Sequence, residues 1–176
     1  MTRLELLDSA QHKLRLAAYH ASALRESLGR HPSEGLEDRE RIAMEAHLEG
    51  LAYTGTSAAE KTLRSIDPEA MQEQMPIQRM LVIVKDDARP AAERDFGRAF
   101  EQWWFDVDQV AWVARELRND ASHRVYEKAP DGALWRMEIA GRAIGVGDFA
   151  DSYGAQLREL SGLVDQATEL AAVGPH

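Results

Sequence analysis

The chain has 176 residues, 44% of them hydrophobic, and a net charge of -9 at pH 7. That is length and apolar content enough for one domain with its own core. The acidic balance speaks against a broad basic nucleic-acid face, and the absence of cysteine excludes disulfides and thiolate metal sites.

No apolar run approaches the roughly 18 residues that span a bilayer, so no membrane partner is expected. Met1-Thr2-Arg3-Leu4-Glu5 is charged and passes directly into a helical pattern, unlike a signal peptide. A cytoplasmic location is expected.

Residues 2–28 are predicted as one long helix, with Leu4, Leu7, Leu14, Ala17, Ala18, Ala21, Leu24 and Leu28 on its apolar side. Gly29 suits its end, and Pro32 prevents continuation. A second helix is predicted over 36–66. Its start is a solvated charge run, Glu37 to Arg41, followed by small and apolar residues such as Ala43, Ala46, Leu48, Leu51 and Ala52. Gly50, Gly55, Thr54, Thr56 and Ser57 lower its helix propensity, with a break at Gly55 as one alternative, but they also let a neighbour approach closely. Asp67-Pro68 ends it.

A short helix is expected over 77–87, a break at Arg89-Pro90, and a further helix over 91–104 whose pattern continues beyond Phe105. Trp103, Trp104 and Phe105 are expected as core or interface aromatics. Val110, Val113, Ala114, Leu117 and Ala121 recur at spacings of three and four, the mark of a helix with one buried face. After residue 123 the period becomes two on either side of Pro130-Asp131-Gly132, a β-hairpin signature over about 124–140. Gly141, Gly145 and Gly147 read as a loop, Asp148 as an N-cap, and 149–172 as the last helix. The expectation is an all-α, up-and-down helical bundle forming one domain over 1–172. It carries a small hairpin insertion before the last helix and a tail at 173–176.

The densest polar cluster is Arg118-Asn119-Asp120-Ala121-Ser122-His123. From Arg115 to Arg142, six basic side chains (Arg115, Arg118, Arg124, Lys128, Arg136, Arg142) meet five acidic ones (Glu116, Asp120, Glu127, Asp131, Glu138), so a polyanion is least repelled here. Histidine suits proton transfer near neutral pH. An arginine fork suits charge building on a phosphoryl group. The same residues also suit an ordinary helix C-terminus, where cations complement the dipole.

A helical bundle carrying Arg118, then Asn119, then His123 after a four-residue gap resembles the HEPN superfamily (higher eukaryotes and prokaryotes nucleotide-binding) and its Arg-x4–6-His motif. The spacing alone occurs four times, at Arg15/His20, Arg25/His31, Arg41/His47 and Arg118/His123. Only Arg118 is followed by a polar amide late in the bundle. The resemblance implies metal-independent RNA cleavage with no cofactor, His123 as general acid/base, Arg118 as phosphate clamp and Asn119 orienting the histidine. Arg115, Arg124, Tyr126 and Lys128 are the expected substrate contacts.

Five residues along an ideal helix turn a side chain by about 500°, leaving Arg118 and His123 about 140° apart. The family's answer is a homodimer with a composite site, and RNA and a homodimeric copy are the implied partners. The alternative is a non-catalytic helical binding module for a protein such as a nucleotidyltransferase-like antitoxin. No metal site is expected: Asp120-x-x-His123 stands alone, whereas a di-iron bundle needs paired Glu-x-x-His units and further glutamates.

Overall fold

The computed structural model describes residues 2–30, 38–67, 75–105, 110–119, 126–128, 135–139 and 142–173. The order is α1 (Arg3–Arg30), α2 (Asp38–Arg64), α3 (Ile77–Val84), α4 (Ala91–Phe105), α5 (Val110–Asn119), β1 (Tyr126–Lys128), β2 (Trp135–Ile139), β3 (Arg142–Gly145) and α6 (Val146–Ala172). The chain is mostly helical, as its periodicity predicts.

Local chemistry sets the ends of α1 and α2. The Thr2 hydroxyl accepts from the Glu5 backbone N–H at 3.2 Å, and the Glu5 carboxylate accepts from the Thr2 N–H at 2.7 Å. This reciprocal pair satisfies two donors that a helix start leaves open. At the far end of α2, Arg3 donates to the Ile66 carbonyl at 2.8 Å and Arg64 to the Met75 carbonyl at 3.1 Å. Cations there also complement the helix dipole.

α2 runs without a break through Gly55. Its buried hydroxyls explain how: Thr54, Thr56 and Thr62 donate back to the carbonyls of Gly50, Ala52 and Ala58. A hydroxyl satisfied on its own helix can be buried at little cost. The pairs Arg3/Ile66, Lys13/Tyr53 and His20/His47 run in opposite order along the two helices, so α1 and α2 are antiparallel. By the same reasoning Leu28 near Gly147 and Arg25 bonded to Asp151 set α6 antiparallel to α1.

One core joins these helices, with Leu24, Leu48, Leu51, Leu63, Met80, Phe96, Phe100, Phe149, Tyr153 and Leu160 all buried. Full burial of such a side chain contributes about 1.5–3 kcal/mol. α6 touches α1, α2, α4, α5, β2 and β3.

Three expectations need correction. The hairpin is a three-stranded antiparallel meander, β1-β2-β3, with Met137 opposite both Tyr126 and Ile144. The glycine-rich stretch taken for a loop supplies the third strand, Arg142–Gly145, because only alternate positions there need side chains that pack. α6 begins at Val146 with Gly145 as its N-cap, so Asp148 lies in the first turn instead of capping it. An acid is favoured there by the same dipole.

Candidate functional site

α5 presents Val113, Ala114 and Leu117 inward, all buried, at the spacing of three and four read from the sequence. It packs against α2, α4, α6 and β2. This fixes the axis of the helix that carries the arginine cluster. Arg118 and Asn119 form its last turn. Their side chains, and the whole of His123 and Arg124, lie outside the described residues. Tyr126 and Lys128 lie on β1, opposite Met137 and Trp135 in the backbone register.

Arg115 is a cluster cation whose surroundings are defined. Its guanidinium sits 5.2 Å from the Trp104 ring centroid and 5.3 Å from that of Phe105. Burial pushes its pKa below the usual arginine value, partly offset by Glu116. A flat cation against two ring faces gains quadrupole attraction, most when partly desolvated. Arg115 is therefore tied to the chain's own aromatics.

Trp103 and Trp104 are 4% exposed each and belong to the core. The Trp103 indole donates to the Gln156 carbonyl at 3.1 Å, fastening α4 to α6. Of the three aromatics expected at a core or an interface, only Phe105 keeps partial exposure. Trp103 and Trp104 are thus unavailable as the surface that joins two copies.

The structure also joins two histidines that the sequence shows only in separate matches to the motif spacing. His20 on α1 and His47 on α2 meet at 3.2 Å between Nδ1 atoms, one ring nitrogen donating to the other. The Tyr19 ring stands edge-on to both. Burial, and then the neighbouring His47, lower the His20 pKa below the ordinary histidine value. Gly50 makes the space, because a Cβ there would stand 2.5 Å from the His20 ring. Of the remaining histidines, His12 is exposed, while His31 and His176 lie outside the described residues.

Among the described residues no three His, Asp or Glu side chains gather in a metal-binding group. No described helix is long and apolar enough to cross a membrane. A second grouping that sequence reasoning missed is a cleft of about 450 Å³ between α1 and α6, into which Arg15, Arg25 and Arg158 project. Its signal was present as the stripe Gln11, Leu14, Arg15, Ala18, Ala21, Arg25 on α1, but nothing in that stripe names α6 as the opposite wall. Neither a protein-family model, nor a curated protein, nor a solved structure matches the chain.

Proposed function

We propose that the chain is a HEPN-like, metal-independent endoribonuclease working at Arg118, Asn119 and His123, as a toxin or defence component. The observation that carries the reading is the placement of Arg118-Asn119 in the last turn of a helix anchored in the core through Val113, Ala114 and Leu117. A rigid helix end positions a phosphate-binding arginine better than a free loop does.

The chemistry balances as a transesterification. The 2′-oxygen attacks its own phosphorus, the P–O5′ bond breaks, and the products are a 2′,3′-cyclic phosphate and a free 5′-hydroxyl. His123 accepts the 2′-hydroxyl proton, and a second imidazole donates one to the leaving 5′-oxygen. One chain has a single histidine in the motif, so a second copy supplies the other, and the active species is a homodimer. Arg118 holds the phosphoryl oxygens as their charge grows.

The test is single-turnover cleavage of a mixed RNA pool with EDTA present. Wild type is expected to leave cyclic-phosphate ends, and His123→Ala to lose on the order of 10²–10⁴ in rate. Equal rates in wild type and variant would sink the assignment.

A second reading rests on Arg115. With that cation held over Trp104 and Phe105 and a net charge of -9, the positive footprint for RNA is thin. The bundle is then a non-catalytic module for a protein partner such as a nucleotidyltransferase-like antitoxin. Absence of cleavage in both proteins, with saturable binding of such a partner, selects it.

A further inference from the structure

We propose that the cleft between α1 and α6 is a binding site for a small anion with an aliphatic body, an alkyl carboxylate or alkyl phosphate. The floor is aliphatic and shallow-sided: Leu14, Ala18 and Ala21 come from α1, Leu157 from α6. Among the described residues no aromatic ring lines it, so an alkyl chain fits the floor better than a stacked base. A volume of about 450 Å³ falls within the range of roughly 300–1,000 Å³ that small-molecule sites occupy.

The rim supplies the charge. Among the described residues, Arg15, Arg25 and Arg158 line the cleft and no carboxylate does, in a chain whose net charge is -9. Two of the three converge on one point of α6. Arg158 donates to the Gly154 carbonyl at 3.2 Å, and Arg25 Nη2 stands 3.2 Å from where a Cβ on Gly154 would lie. Gly154 lets the guanidinium lie against the helix backbone. Asp151, outside the lining, pairs with Arg25 Nε at 2.5 Å, which orients Arg25 and offsets part of its charge. Arg15 forms no ion pair among the described residues.

Like charges gathered along one groove repel each other and focus a positive potential outward. An anion relieves that repulsion, and arginine forks match the planar oxygens of a carboxylate or phosphate. Gln11 and Ser161 add neutral hydrogen-bonding groups at the same rim. An apolar floor beneath a cationic rim selects a ligand with both parts, since an inorganic anion leaves the floor wet and a neutral chain leaves the arginines unmatched. The site is built from α1 and α6 alone, so it stands or falls apart from RNA cleavage at the end of α5.

The test is calorimetric titration of the full chain with decanoate, decyl phosphate, inorganic phosphate and decyltrimethylammonium, each below the concentration at which micelles form. Decanoate or decyl phosphate is expected to bind at one per chain. The comparison between them distinguishes carboxylate from phosphate. Inorganic phosphate is expected to bind at least about tenfold more weakly, as loss of aliphatic burial implies.

Arg15→Ala/Arg158→Ala is expected to weaken the bound amphiphile by about tenfold or more, the scale of one or two charge-assisted hydrogen bonds. Ala18→Leu fills the floor without touching charge and is expected to weaken it comparably. Both changes are at exposed positions, so the melting temperature should stay close to wild type. Binding of the cationic amphiphile as tightly as the anionic ones, undiminished binding in both variants, or no binding of either anion overturns the proposal.

Discussion

Two glycines within helices serve opposite ends. Gly55 on α2 faces Tyr153 on α6, and a Cβ there would overlap the phenol oxygen. Tyr153 is fully buried and has no room to withdraw. Gly55→Ala is expected to destabilise by about 1–3 kcal/mol, the usual cost of overpacking. Gly162, on the exposed face of α6, has nothing within 4 Å of its would-be Cβ. Gly162→Ala is expected to stabilise by up to about 1 kcal/mol, because alanine loses less backbone entropy in a helix. Urea unfolding of both variants reads the contrast, and shifts of the same sign would contradict the close approach of α2 and α6.

Between α1 and α2, the paired histidines make the seam sensitive to acid. Burial and the neighbouring His47 hold the His20 pKa down in the folded chain. The unfolded chain takes up that proton at about pH 6.5. The unfolded state therefore binds more protons as pH falls below that value, and stability declines with acidification. The contribution is fully present above about pH 6.5 and is lost as pH falls through the lowered folded value. Unfolding free energies at pH 7.5, 6.5 and 5.5 should drop in wild type and drop less in His20→Gln. Parallel profiles would show that the pair carries no linkage.

The same seam marks what a single sequence can convey. Helix period made α1, α2, α4, α5 and α6 legible, because a buried face repeats every three or four residues whatever lies opposite. The partner of each face was not legible, so neither the meeting of His20 with His47 nor that of Arg15 with Arg158 across one cleft could be read. β3 was hidden because Gly141, Gly145 and Gly147 carry the strongest local loop signal, while the pairing of Ile144 with Met137 is a tertiary fact. In the arginine cluster, residue types and helix placement were readable. Whether Arg118 and His123 converge was not, because spacing fixes an angle on one helix and says nothing of what a second copy brings.

At the scale of the molecule, α6 is the strut that touches four of the other helices. It reaches α1, α2, α4 and α5 as well as two strands, and its buried face runs from Phe149 through Tyr153, Leu157 and Leu160 to Val164. Leu160 is fully buried. Leu160→Ala removes apolar contact and leaves a cavity, at an expected cost of about 2–5 kcal/mol. The indole of Trp103 is bonded to the α6 backbone at Gln156, so tryptophan emission, shared with Trp104 on α4, Trp112 on α5 and Trp135 on β2, includes a reporter of undocking of α4 from α6. Far-UV circular dichroism follows all the helices, with α1, α2 and α6 the longest. If α6 unites the fold, both signals in Leu160→Ala shift to lower urea together and keep a common midpoint, as a two-state transition requires. A fluorescence midpoint that moves alone would instead divide the chain into an α1–α2 hairpin and a separately melting α4–α6 layer. The arginine cleft, walled by α1 and α6, would then be lost before the hairpin unfolds.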